Sequence, residues 1–418
     1  MNDLNTILKN CSRYSKIYLY GDGEVARLTR IFLHERGIEI SAFITSDCPK
    51  KSLLMGVPVN EIDRFESEVI SSYVLVCTNK RWWKEIVTRL TSKGYVNFDI
   101  IGPDIKREIE MLVEFSDIYE DVEKTINVLL YHRVENLKSA YSIIVNEKNF
   151  EDQLKYICSN YNIIRCDGDW SSVKSKSVAL TFDDGYVDFY SKAYPLLKKY
   201  NVPATVFVST GGIDNGKEFW WDVLENMINK SILPEIIKTK RREFHLSDYP
   251  SRAELLLDIR SEIIENNYLA RDEEINILKK QLNVVVSERE EYRTMTSDEI
   301  RELAKDPLIT IGAHTVNHIL CDCESSDIQR HEIDESKKRL ESIINKQVDL
   351  FAYPNGNIGI DTRIILKEIG FKRAFTCEHA CIDYDEKKYD VPRSAVLNWD
   401  SSQMERRFRG IWQTSKEI

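Results

Sequence analysis

The chain has 418 residues, with 58 Lys and Arg against 68 Asp and Glu and a net charge of −10. That length exceeds what one hydrophobic core ordinarily serves, so two domains are expected. The acidic balance argues against nucleic acid or an anionic membrane surface as the main partner.

The opening Met1-Asn2-Asp3-Leu4-Asn5 lacks the basic and apolar stretches of a secretory signal. No apolar run approaches membrane-spanning length. Nine scattered cysteines fit reduced thiols better than a disulfide framework, and the expected compartment is the cytoplasm. Residues 2–12 read as a short helix, residues 16–20 as a strand, and residues 21–26 as a turn into a helix ending near residue 35. Further strands are expected at residues 38–45 and 73–77, with a helix over residues 81–93. This alternation predicts a small, doubly wound, Rossmann-like domain over residues 1–104. Gly21-x-Gly23-x-x-Ala26 matches the fingerprint in which glycines let a pyrophosphate approach a helix N-terminus. Asp47 lies roughly where a ribose contact falls in that pattern. The competing reading is a tight strand-to-helix turn.

Residues 105–124 form a charged amphipathic stretch, expected to be a linker helix. The remainder, residues 125–418, is expected to be a second domain. Its first strand, within residues 126–134, ends near His132. A helix over residues 150–161 and a strand over residues 162–166 come next. The stretch Ser177-Val178-Ala179-Leu180-Thr181-Phe182 is strand, and it stops on Asp183-Asp184-Gly185. A helix to residue 199, a strand over residues 204–208 and a helix opening at Phe219-Trp220-Trp221-Asp222 follow. Residues 231–292 are rich in Glu, Lys, Arg, Ile and Leu, with helical periodicity and no strand signal, so a helical insertion is expected there. A strand at residues 308–312 runs into Ala313-His314-Thr315-Val316-Asn317-His318. Strands and helices alternate on to residue 396. The pattern predicts a distorted (β/α) barrel with its active groups at the C-terminal strand ends.

A buried strand has no local use for two adjacent aspartates, because unpaired charge is expensive away from water, and the competing reading is a turn in which one Asp caps the helix beginning near Tyr186. His314 and His318, spaced i, i+4, can turn both imidazoles toward one metal. Two imidazoles and one carboxylate make the three-ligand set of a catalytic zinc site, and the second Asp is then free to act as a base toward water. Trp221 offers an aromatic face for a sugar ring, with core packing as the alternative use.

Thr181-Phe182-Asp183-Asp184-Gly185 together with His314-Thr315-Val316-Asn317-His318 resembles the polysaccharide deacetylase family, also called NodB-homology domains or family 4 carbohydrate esterases. Phe351-Ala352-Tyr353-Pro354-Asn355-Gly356 resembles a variant of that family's third motif. The resemblance implies metal-dependent removal of an N-acetyl group from an amino sugar. It assigns Asp183 as base, Asp184, His314 and His318 as metal ligands, and the Tyr353-Pro354-Asn355 segment, through the Asn355 backbone N–H, as the oxyanion contact. The metal it implies is zinc, with cobalt or nickel as alternatives. Ala352 stands where the family often has an arginine, so Arg393 is assigned to orient the base. No late Leu-x-His motif is present. Leu130-Tyr131-His132 resembles the permuted Tyr-His branch of biofilm poly-N-acetylglucosamine deacetylases, which makes His132 the acid. Residues 10–105 loosely resemble the Rossmann-like domains attached to bacterial glycan-modifying enzymes. The expected substrate is an acetylated amino sugar in a bacterial surface-glycan precursor of capsule or O-antigen type, nucleotide- or lipid-linked, or in an oligosaccharide. A related deformylase or O-acetyl esterase, or a glycan-binding protein without catalysis, are the alternatives.

Overall fold

Strand-forming and helix-forming stretches sort the chain into two α/β units, one within residues 1–121 and the other within residues 122–412. The computed structural model describes residues 3–21, 23–46, 53–54, 56–64, 69–78, 82–102, 105–106, 109, 126–137, 139, 141, 143–171, 173, 175–229, 233–239, 243–246, 249–264, 266–378, 382 and 388–411.

The first unit contains α1 (Leu4–Cys11), β1 (Lys16–Tyr20), α2 (Glu24–His34), β2 (Ala42–Thr45), β3 (Leu53–Leu54), β4 (Val57–Glu61), β5 (Ser72–Val76), α3 (Trp83–Ser92) and β6 (Phe98–Ile100). Its sheet runs β3-β4-β2-β1-β5-β6, parallel everywhere except at the β3–β4 pair. Leu19, Phe43 and Tyr73 pack with α1 and α2, whereas Tyr18, Ile44 and Val74 pack with α3. Helices therefore cover both faces, which is why β5 is apolar on both sides rather than alternating. Gly21 has φ +115°, and a Cβ there would lie 2.9 Å from the Cys77 carbonyl oxygen. Only glycine fits where the end of β1 passes the end of β5. Gly23 caps α2 in an extended conformation, and a Cβ there would meet nothing. Asp47 lies outside the described residues.

The second unit begins with β7 (Ile126–Tyr131), β8 (Arg133–Val134), β9 (Ile144–Val145), α4 (Glu147–Asn160), β10 (Asn162–Ile163), β11 (Ser177–Phe182), α5 (Tyr194–Tyr200), β12 (Ala204–Val208) and α6 (Trp220–Ile228). The insertion supplies β13 (Ile236–Lys238), β14 (Glu243–His245), α7 (Tyr249–Ile263) and α8 (Tyr268–Gln281). Then come α9 (Ser297–Leu303), β15 (Ile309–Ala313), α10 (Ser326–Ile344), β16 (Leu350–Ala352), α11 (Thr362–Ile369), β17 (Arg373–Phe375), β18 (Ser394–Ala395) and α12 (Ser401–Ile411). The main sheet is wholly parallel, in the order β17-β16-β15-β12-β11-β7-β18 with β10 beside β11. Val391 pairs with Phe375 of β17, and Ser394 and Ala395 pair with β7. Residues 391–395 thus bring the two edges together, and the sheet curls into a distorted (β/α) barrel.

The insertion is not wholly helical. β13 and β14 form an antiparallel hairpin in which Phe244 is the buried residue. Three-residue strands with one buried side chain leave no period-two pattern to read. Leu255, Ile259 and Ile275 of α7 and α8 share an apolar cluster with Leu224, Met227 and Ile228 of α6, which ties the insertion to the barrel.

Phe182 anchors the outer layer beneath the Asp183 turn, stacking on Tyr131 at 5.1 Å and meeting Phe150 and Phe189 edge-on at 5.8 and 4.9 Å. Phe182→Ala should cost about 3–5 kcal/mol in guanidinium unfolding. A loss below about 1 kcal/mol would show that the aromatic cluster does not hold this strand end.

Candidate active site

Strand alternation decides which side chains enter the barrel. On β11, Val178, Leu180 and Phe182 face the helices and Ala179 faces inward, so Asp183 continues the inward series. On β15, Ile309, Ile311 and Ala313 face the helices. Gly312 lies inward because Phe207 fills the space, with a Cβ at Gly312 falling 2.4 Å from its ring. His314 is next on that inward side.

Asp183 is fully buried and gripped by Arg393, whose Nη1 and Nη2 donate to Oδ1 and Oδ2 at 2.6 and 2.7 Å. Arg393 Nε donates to the Thr376 carbonyl at 2.8 Å. A two-point guanidinium–carboxylate pair fixes position as well as charge. Burial alone would raise the Asp183 pKa. Arg393 and then His314 outweigh it and hold the carboxyl below its usual range.

Asp184 has φ +73°, which turns it out of the strand's alternation. Its Oδ1 lies 3.5 Å from His314 Nε2 and 3.3 Å from His318 Nε2. All three residues are buried, and their ligand atoms lie within 4.8 Å of one another. Asp184 Oδ1 makes no hydrogen bond among the described residues. His314 Nδ1 sits 2.7 Å from the Ala352 carbonyl, which assigns its proton there and leaves Nε2 as a lone pair toward Asp184. A buried carboxylate oxygen without a donor, facing two imidazole nitrogens, is costly unless a cation sits among them. The donor set fits a divalent metal such as zinc, with coordination positions left open. Burial opposes ionisation of Asp184, whereas protonated imidazoles at His314 and His318 would donate to it and hold its pKa down. Burial disfavours both imidazolium forms. Asp183 and Asp184 outweigh that at His314, whereas at His318 burial prevails.

The loop after β12 ties the Asp184 and His314 segments together. Ser209 N–H donates to the Asp184 carbonyl at 3.1 Å, and Ser209 Oγ donates to the His314 carbonyl at 2.8 Å. His132 is half-buried directly after β7, whose Tyr131 carbonyl accepts the Asp183 N–H at 3.0 Å. It lies close enough for its charge to help lower both Asp183 and Asp184.

The sequence profile of the polysaccharide deacetylase family matches residues 171–238 and 277–374, spans that hold both the Asp183-Asp184 turn and the His314–His318 loop. The second unit is a polysaccharide deacetylase domain. The match leaves residues 239–276 of the insertion uncovered. The chain is 23% identical over 276 residues to YxkH of Bacillus subtilis, which covers 64% of this chain and 70% of that protein. It is 22% identical over 293 residues to the poly-β-1,6-N-acetyl-D-glucosamine N-deacetylase of Staphylococcus aureus, covering 66% of this chain and 79% of the relative. Among solved structures, the Streptococcus pyogenes deacetylase PplD in complex with acetate aligns with a TM-score of 0.42 at 21% identity, over 69% of this chain and 99% of PplD.

Other residues singled out from the sequence occupy different positions in the deacetylase domain. Trp221 is a wall rather than an open platform. Its Nε1 donates to Tyr186 Oη at 2.8 Å, its ring stacks on Phe219 at 4.6 Å, and it packs edge-on to His318 at 4.7 Å. Tyr186 in turn donates to Asp222 at 2.5 Å, and burial pushes Asp222 up to about 8. The Tyr353 side chain belongs to the core, with its hydroxyl donated to the Tyr389 carbonyl at 2.8 Å. Pro354 is buried beside it, and Asn355 is exposed at the rim with φ +53°. Asp188, absent from the sequence reading, accepts the Val134 N–H at 3.1 Å and Arg133 Nε at 2.7 Å. It fixes the chain just beyond His132, and no local motif advertises it.

Arg393→Met would leave the Asp183 charge buried without its partner, at an expected cost of about 3–5 kcal/mol at pH 7. Because the folded-state pKa of Asp183 is depressed, the pair stabilises above the unfolded carboxylate range and this is lost as pH falls through the folded value. The variant should therefore show less of this loss on acidification. Urea midpoints measured from pH 7 to pH 3 test both points, and wild-type stability of the variant at pH 7 would contradict them.

Proposed function

We propose that this chain hydrolyses the N-acetyl group of an amino sugar in a bacterial surface glycan, releasing acetate and leaving the free amine. The observation that carries the reading is the orphaned Asp184–His314–His318 cluster beside a carboxylate, Asp183, that Arg393 keeps ionised. Asp184, His314 and His318 would hold a divalent metal there, zinc or alternatively cobalt or nickel, which would supply a water of lowered pKa and polarise the acetyl carbonyl. Asp183 accepts the proton from the attacking water. His132 donates a proton to the departing nitrogen, and the backbone N–H of Asn355 steadies the charge that develops on the carbonyl oxygen. Arg393 acts through Asp183 as a positioning residue.

The Staphylococcus aureus relative, whose name specifies a poly-N-acetylglucosamine substrate, supports a β-linked N-acetylglucosamine type of glycan. We extend this to oligosaccharides and to nucleotide- or lipid-linked precursors handled in the cytoplasm. The buried, unlinked thiols of Cys11, Cys166 and Cys321 suit a reducing compartment. A nucleotide-linked precursor would give the first unit a role at the Gly21–Gly23 turn, with Asp47 nearby in sequence.

Acetate release from acetylated amino-sugar oligomers and nucleotide-sugars tests the activity. Asp183→Asn should abolish turnover while keeping metal, and His314→Ala should lose both. His132→Ala should keep metal and lower kcat by about 10²–10⁴-fold. Near-wild-type turnover by the His132 variant would rule out its role as acid, and metal retention by His314→Ala would remove it from the ligand set.

A further inference from the structure

We infer that Arg271, on the inserted helix α8, is a positioning residue for His318, so that the insertion forms part of the metal site. The inference rests on the reading of Asp184, His314 and His318 as the metal-binding set. The loop carrying the two histidines is not held by secondary structure of its own. Thr315 and His318 have φ values of +62° and +49°, left-handed conformations that non-glycine residues keep only when their surroundings impose them.

The backbone partners of this loop divide cleanly. The loop after β12 takes the first three carbonyls, through Ser209 Oγ to His314, Thr210 N–H to Thr315 and Gly211 N–H to Val316. The Glu332 carboxylate of α10 accepts the N–H groups of Val316 and Asn317 at 3.0 and 2.8 Å and the Asn317 side-chain amide at 2.6 Å. The last two carbonyls fall to Arg271, whose Nη2 and Nη1 donate to Asn317 and His318 at 3.2 and 3.4 Å. A guanidinium reaches two neighbouring acceptors at once, which a lysine cannot reproduce.

His318 depends on that support more than His314 does. His314 is oriented by the Ala352 carbonyl, whereas His318 Nδ1 makes no hydrogen bond among the described residues. The His318 ring packs edge-on to Trp221 and Phe219 at 4.7 and 6.1 Å, but the backbone before it, at Val316 and Asn317, borders a cavity of about 430 Å³ together with Arg271. Arg271 itself is buried with its guanidinium 5.4 Å from the Trp220 ring, and its carboxylate neighbour Asp272 is 3.4 Å away and exposed. It lies in the stretch that the family profile does not cover, so the support belongs to this chain's insertion rather than to the shared pattern.

The test is zinc affinity of the full chain, measured by competition with a chromophoric chelator, together with amide hydrogen exchange over residues 315–319. Arg271→Met should weaken zinc binding by about 10–100-fold and speed exchange in the loop but not in β11 or β12. Arg271→Lys, which keeps the charge but not the fork, should fall between the two and serves if the Met variant does not fold. Lys280→Met, an exposed change on the same helix, should bind zinc as the wild type does. Wild-type affinity in a folded Arg271→Lys or Arg271→Met variant overturns the inference, as does an equal loss in Lys280→Met. Failure of the wild-type chain to bind zinc at all would instead overturn the metal-site reading beneath it.

Discussion

Two adjacent carboxylates buried at the end of one strand set the terms for the rest of this domain. Neither can stay ionised there without positive or donor partners, and the two find different ones. Asp183, inward by strand alternation, meets a guanidinium in a two-point pair. Asp184, turned by a left-handed backbone, meets two imidazoles and has an oxygen with no protein donor. One change of backbone conformation between neighbours therefore separates the carboxylate that meets a guanidinium, the proposed base, from the one that faces two imidazoles, the proposed metal ligand.

The barrel's closure and Asp183 are linked by the same segment. Residues 391–395 join β17 to β7, and Arg393 in the middle of them reaches inward to Asp183. Ala352, at the end of β16, contributes its carbonyl to His314. Around the histidines, three elements distant in sequence share the loop's polar groups: the loop after β12, the carboxylate of Glu332 and the guanidinium of Arg271.

Much of this was legible in the residues. Parallel β/α alternation appears as separated apolar runs, and the Asp-Asp and His-x-x-x-His groups fall at strand ends where such folds collect function. What was not legible depends on contacts across the chain. Trp221 shows an aromatic face in the sequence, but its indole N–H is committed to Tyr186 and its ring to His318. Tyr353 sits in a motif-like stretch, yet its side chain completes the core. Asp188, Glu332 and Arg271 look like ordinary charges on helical stretches, and only the folded chain brings them to His132 and the histidine loop. The β13–β14 hairpin hid in a charged context because its strands are three residues long.

Asp184, His314 and His318 are proposed to hold one divalent metal together. Zinc-edge X-ray absorption on the zinc-loaded chain tests it most directly. The account predicts a first shell of nitrogen and oxygen at about 2.0–2.2 Å with imidazole scattering from two histidines. A sulfur shell at about 2.3 Å, or a shell without imidazole, would contradict it.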